Sequence, residues 1–301
     1  MPDATSPLPD LLAEFVGTYL PARNMAPLTR KTYGELVGRL VAWLGEHGIL
    51  TPRQVELRTL NAYLAHLDGQ RLAGSTRRKY VYGIKLFFRF LEAHGHAAGN
   101  VTTCLIPPAL ESKEPRVLTM AEYRRLREVV RDQTRDAAIV EVLLQTGIRL
   151  GELARLRLDD ISVPQRIGVA ADAAGSLSVR QGKGRKDRTV TLNHRACEAL
   201  AAYLQVRPGA TLFREVFLTK HRKPMKPRAY QAMLERSFAK AGIERAHPHT
   251  LRHTFGTHMV KAGANLRSVQ EMMGHSDLKT TSRYVSLART QMDKEMQTHA
   301  L

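Results

Sequence analysis

The chain has 301 residues, 43% of them hydrophobic, with 46 Lys and Arg against 28 Asp and Glu, a formal net charge of +18. That is long and apolar enough to build two packed domains, while the lack of an apolar run of bilayer length or of an N-terminal apolar h-region argues for a soluble, unprocessed chain and no membrane partner. Cys104 and Cys197, far apart and without C-x-x-C spacing, fit a reducing cytoplasm and exclude a cysteine-built zinc site.

Positive charge draws polyanions, of which nucleic acid is the commonest. It is spread along the chain: 12 basic against 8 acidic residues up to Leu105, and 34 against 20 beyond it.

The first hundred residues have helical apolar spacing throughout. Leu11, Leu12, Phe15, Val16 and Tyr19 mark one helix, and Leu36, Leu40, Trp43 and Leu44 a second. A third is expected over about 54–67 and a fourth over 75–93, with Tyr80, Ile84, Phe87, Phe88 and Leu91 inward. Two helix starts, Thr29-Arg30-Lys31 and Ser75-Thr76-Arg77-Arg78-Lys79, put cations where the helix dipole prefers acids. Phosphate contacts by Arg30, Lys31, Arg77, Arg78 and Lys79 would offset that cost; a solvated face is the alternative.

The proline-bearing stretch IPPALESKEPRV then reads as a linker. We expect a helical domain over 1–106, a linker over 107–117 and a second domain over 118–301. Thr119 and Glu122 have capping-box spacing and open a helix to about Val130. Further helices are expected near 134–145 and 149–156. LRLDDISV reads as a strand, Pro164–Gly175 as an inserted loop, and GSLSVRQGKGRKDRTVTLN as a hairpin turning at Gly182-Lys183-Gly184, with Leu177, Val179, Val190 and Leu192 alternating along its arms. From His194 the pattern is helical again. Lys220, Arg222, Lys223, Lys226 and Arg228 precede or open a helix, and DNA backbone contact is favoured over a solvated loop. The fold class is mainly α with a small antiparallel sheet.

HPHTLRHTFGTHM, His247 to Met259, carries four histidines and an arginine. Wound as a helix, Leu251, Phe255, Met259 and Ala262 form an apolar stripe with His258 among them, so His258 reads as a core residue. His249, Arg252 and His253 share another face. A metal site is disfavoured, because the Glu of H-E-x-x-H is missing and an arginine repels a cation. A solvated face and a phosphate-binding face remain, since Arg forks onto phosphate and His donates beside it.

Four stretches occur in order: TGIRLGEL with Arg149, QGKGRKDR with Lys183, HPHTLRH with His249 and Arg252, and GHSDLKTTSRY with His275 and Tyr284. Together they resemble the tyrosine recombinase (phage integrase) family over essentially the whole chain. No extra arm-binding domain is expected before the helical one, so the layout is similar to that of Xer, plasmid-resolution or simple transposon-type members, which bind core sites only.

The resemblance implies a site-specific DNA recombinase in which Tyr284 attacks the scissile phosphate, giving a 3′-phosphotyrosine and a free 5′-hydroxyl. Arg149 and Arg252 would stabilise the phosphate charge, His249 would accept or relay the phenolic proton, Lys183 would protonate the leaving oxygen, and His275 would hydrogen-bond a non-bridging oxygen. Glu152 and His253 are expected to support. Arg185 and Lys186 join the DNA contacts, and with Arg188 could replace Lys183 if the hairpin register slips. No metal, ATP or other cofactor is implied.

The expected partners are double-stranded recombination sites, bound by a homotetramer passing through a Holliday junction, with room for a partner recombinase or accessory protein. The expected location is the cytoplasm, with the nucleoid. The C-terminal VSLARTQMDKEMQTHAL is helical in period and would dock on a neighbouring protomer or on its own domain. A type IB topoisomerase and a catalytically silent DNA-binding protein are the rival readings.

Overall fold

The computed structural model describes residues 6–110, 114–164, 174–180, 187–209, 212–274 and 284–285. Two units divide the chain, Met1–Ser112 and Lys113–Leu301. Among the described residues no helix is long and apolar enough to cross a membrane.

The first unit is helical. α1 (Leu8–Glu14) runs through a π-helical turn, Phe15–Tyr19, into α2 (Leu20–Ala22); α3 (Pro27–Glu46), α4 (Leu57–Gly69) and α5 (Gly74–Ala93) follow. The first expected helix is thus present, but with a wide turn inside it. Leu20 N–H reaches back five residues to Phe15 O, just ahead of Pro21, which has no N–H to give. Phe15, Leu40, Leu44, Ile84 and Phe87 have no exposed surface and form the core, with the Phe15 and Phe87 rings edge-on at 5.2 Å.

Two helices begin earlier than their cations suggested. Pro27 opens α3 and Gly74 opens α5, each after an alanine that offers no side-chain cap. Lys31, Arg78 and Lys79 therefore lie in second turns, where the dipole argument that singled them out has faded.

The second unit carries α6 (Met120–Val130), α7 (Thr134–Thr146), α8 (Leu150–Leu153), β1 (Ile161–Ser162), β2 (Gly175–Val179), β3 (Arg188–Leu192), α9 (His194–Val206), α10 (Pro227–Lys240), α11 (Pro248–Lys261) and α12 (Leu266–Met273). The capping box forms as read: Glu122 N–H donates to Thr119 Oγ1 at 3.2 Å, and Thr119 N–H to Glu122 Oε2 at 2.9 Å. The two arms of the hairpin pair as read, while the turn expected at Gly182-Lys183-Gly184 lies outside the described residues. Leu177 pairs with Val190, and Leu177, Val179, Val190 and Leu192 are buried on one face.

LRLDDISV is a correction. Only Ile161 and Ser162 are strand, preceded by a 3-10 turn, Leu158–Asp160. The Asp160 carboxylate accepts from Arg157 N–H at 2.9 Å, and such local side-chain bonds compete with a sheet ladder. The helix expected over 149–156 is likewise only one turn long.

α7 is buried nearly all round and ends at Gly147, whose φ of +61° is left-handed. Only glycine fits there, for conformation and for space: a Cβ would strike the Phe255 ring. Beyond this turn the chain extends through Arg149 into α8. α11 starts on Pro248, whose fixed φ and missing N–H suit a first helical position. His258 is a second correction, being exposed. Leu251 and Phe255 are buried as the stripe required, but the helix emerges in its last turn, where Met259 and Val260 are only partly covered.

Candidate active site

Five described segments bring the candidate residues together: the α7–α8 turn with α8, β3, the first half of α11, the end of α12, and the short stretch at Tyr284. Arg149 is the N-cap of α8. Its backbone N–H donates to Glu152 Oε2 at 2.8 Å, its Nη1 to Glu152 Oε1 at 2.9 Å, and its Nη2 to Gly274 O at 2.8 Å. Arg252, 5% exposed, reaches Gly147 O through Nη1 and Met273 O through Nη2, the latter at 2.6 Å. Burial pulls its pKa down to about 10, and the nearby Arg149 charge adds to that, so it stays cationic at neutral pH.

Glu152 is 6% exposed. Burial alone would raise its pKa, but hydrogen bonds from Arg188 and Arg149 hold the carboxyl at about 2. Arg188 Nη1 and Nη2 grip the two carboxylate oxygens at 3.1 and 2.8 Å, a bidentate pair. Its Nε donates to Met272 O at 2.9 Å.

Tyr284 is 1% exposed and belongs to a small apolar cluster with Phe255, Val269 and Met273. Its ring lies against the Cα of Gly256, where an added Cβ would come within 2.9 Å of Tyr284 Cζ. The hydroxyl sits 3.3 Å from His253 Nδ1. His249 is exposed at the rim, yet enough protein surrounds its ring that desolvation, followed by the charges of His247, Arg252 and Arg149, depresses its pKa. A neutral imidazole there at neutral pH can accept a proton.

The structure therefore brings Arg149, Glu152, Arg252, His253 and Tyr284 into one connected cluster, with His249 beside Arg252 and Arg149. Lys183, Arg185, Lys186 and His275 lie outside the described residues, as does the C-terminal segment after Val285. Arg188 is a correction: as a replacement for Lys183 it is excluded by its commitment to Glu152 and Met272. Its pairing was legible in outline, since residues 188, 190 and 192 share the inward face of β3, and a half-buried arginine there requires an acceptor.

The remaining basic candidates differ among themselves. Arg77 pairs with Asp68 at 2.9 Å. Arg78 is tied to Tyr82 Oη at 3.1 Å and to Pro108 O at 3.3 Å. Lys31 meets Glu35 at 3.9 Å in solvent, a weak pair, and Arg30 is half-buried. Lys79 is exposed. Lys220, Arg222 and Lys223 ride a tight turn closed by Thr219 N–H to Lys223 O at 2.8 Å, with Arg222 left-handed at φ +59°. They are exposed, as are Lys226 and Arg228 where α10 begins.

A helical first unit, a helical second unit with a three-stranded sheet, and a tyrosine beside two arginines and two histidines define a class. Residues 116–291 match the model of the phage integrase family, and residues 12–104 match that of the phage integrase N-terminal SAM-like domain. The chain is 32% identical over 261 residues to tyrosine recombinase XerD of Staphylococcus aureus, covering 84% of this chain and 85% of that one. Its fold is similar to that of XerH site-specific recombinase in a post-cleavage complex with difH substrate (TM-score 0.76, 21% identity, 91% of this chain and 80% of the other). It is similar too to that of a lambda integrase tetramer bound to a Holliday junction (TM-score 0.72, 17% identity, 92% and 79%). The chain belongs to the phage integrase family. Within it, the protein is a tyrosine-type site-specific recombinase.

Proposed function

We propose that the protein cuts and rejoins duplex DNA at a specific site through Tyr284. The observation that carries this reading is the seating of the Tyr284 hydroxyl 3.3 Å from His253 in a cluster that also holds Arg149 and Arg252. Attack by Tyr284 Oη on phosphorus forms the phosphotyrosine ester and breaks the bond to the 5′-oxygen. Negative charge grows on the non-bridging oxygens, and two positioned guanidiniums are the largest available help.

A phenol has an ordinary pKa near 10 and is a poor nucleophile until a base assists. His253 holds the phenolic oxygen in the DNA-free protein, and neutral His249 takes the proton once a phosphate is bound. Lys183 returns a proton to the departing 5′-oxygen, and His275 donates to a non-bridging oxygen. The ester keeps the energy of the cleaved bond, so rejoining by another strand's 5′-hydroxyl needs no ATP.

Family membership supports four protomers acting on two sites through a Holliday junction, with or without a partner recombinase. It also supports a cytoplasmic location on the nucleoid. The exposed cations of both units, led by Lys79 and the Lys220–Arg228 stretch, supply backbone contacts, with Arg185 and Lys186 beside the scissile region.

The test is covalent capture on a suicide substrate in EDTA, with wild type beside Tyr284→Phe. The expected result is a protein–DNA band for wild type alone, with DNA affinity nearly equal for the two. A covalent band from Tyr284→Phe would overturn the reading.

A further inference from the structure

The last three residues before His275 each give their carbonyl to a different arginine. Met272 O accepts from Arg188 Nε at 2.9 Å, Met273 O from Arg252 Nη2 at 2.6 Å, and Gly274 O from Arg149 Nη2 at 2.8 Å. These carbonyls close α12, where the final turn of any helix has acceptors without intrahelical donors and the negative end of the dipole. Arg149 and Arg252 are already assigned to the scissile phosphate. Arg188 comes from β3, where its pairing with Val179 is the last toward Lys183 among the described residues.

We propose that Arg188 is a positioning residue for the phosphate clamp, fixing the first residue of β3 and the Arg149–Glu152 pair to the end of α12. Two physical consequences follow from its place. Glu152 is shared: with both its oxygens also gripped by Arg188, it holds Arg149 in orientation without neutralising it alone. Two guanidiniums then bond one carboxylate, with the Arg252 charge close by, which leaves the cluster with net positive charge for the phosphate.

The packing is also specific to this arrangement. Gly274 is left-handed at φ +65°, and a Cβ on it would come within 2.7 Å of Arg188 Nη1. The guanidinium therefore lies flat against that glycine. Lysine, with one compact ammonium, cannot reproduce a bidentate carboxylate grip and a third bond to Met272 O.

The inference rests on the assignment of Arg149 to the phosphate, and the experiment separates the two. Single-turnover cleavage of a suicide substrate at saturating protein is measured for Arg188→Gln, Arg188→Lys, Arg149→Ala and Arg149→Ala/Arg188→Gln. The dissociation constant for the same DNA and a thermal melt are recorded for each. We expect Arg188→Gln to slow cleavage by on the order of ten- to a hundredfold, as a misplaced catalytic group does, with binding almost unchanged. Arg188→Lys recovers little of that loss. In the Arg149→Ala background the Arg188→Gln change costs about twofold or less, because residues acting as a unit are not additive.

Wild-type cleavage by Arg188→Gln, or full additivity in the double variant, overturns the inference. Full recovery by lysine does so too, since it would assign Arg188 a mere charge. If Arg149→Ala cleaves like wild type, the assignment of Arg149 fails instead. Should Arg188→Gln not fold, Arg188→Lys alone and combined with Arg149→Ala carries the same additivity test.

Discussion

At the scale of residues, the cluster is governed by what buried charge demands. A guanidinium or carboxylate removed from water is costly unless each of its hydrogen-bonding positions finds a partner. Glu152 meets that demand by binding two arginines, and its depressed pKa has a consequence for stability. The carboxylate contributes fully above the ordinary value of 4.5 and progressively less as pH falls toward about 2. Glu152→Gln should lower stability at neutral pH by about 3 kcal/mol, and the gap to wild type should close between pH 4.5 and 2. Urea unfolding at pH 7, 4 and 3 checks this; a gap independent of pH would show that the charge is not what stabilises. His249 makes a second residue-scale prediction. Its imidazole should titrate below the ordinary 6.5 in the DNA-free protein, read by NMR of the ring protons, and a midpoint above that value would remove its fitness as a base.

At the scale of elements, the legible features were those that local pattern determines. The alternation of Leu177, Val179, Val190 and Leu192 defined the hairpin and its buried face. Thr119 and Glu122 marked the start of α6. Apolar spacing located α3, α5 and the first turns of α11. The illegible features were those that distant contacts or silent caps determine. Ala26 carries no capping chemistry, so the true start of α3 was hidden, whereas α5 begins one residue before the expected Ser75. His258 lies on the apolar stripe of α11 but beyond the depth to which that helix is packed. Arg188 was visible as an arginine on an inward face, but its acceptors on α8 and α12 are 36 and 84 positions away.

Gly147 tests an element junction. Gly147→Ala must accept a left-handed backbone, at about 1–2 kcal/mol, and push the Phe255 ring aside, at about 1–3 kcal/mol more. It also moves the carbonyl that receives Arg252. A melting temperature several degrees lower, with slower cleavage at temperatures where the variant is fully folded, is expected. An unchanged melt would mean that α11 shifts freely against α7.

At the scale of the molecule, the excess of 18 positive charges is distributed unequally between paired and unengaged side chains. Arg77 and Arg78 are anchored within the first unit, so their removal should cost stability as well as affinity. Lys79 and Lys223 are exposed on a helix and on a turn tip. Replacing either with alanine should weaken DNA binding evenly across sequences and lower the slope of log affinity against log salt by about one. Fluorescence anisotropy at four salt concentrations decides it; a slope equal to wild type would take that lysine off the DNA.

The three carbonyls at the end of α12 have one more implication, and it concerns failure. The helix is eight residues long, and the turn that closes it is held as much by arginines from elsewhere as by its own ladder. Short helix ends are where proteins open locally. Its opening would take an anchor from all three guanidiniums together, so on the roles proposed for Arg149 and Arg252 the capacity to cleave is expected to be lost in a single step and not by degrees. A damaged or half-folded protomer is then expected to fall silent before it turns careless, which matters for an enzyme whose mistakes are broken strands.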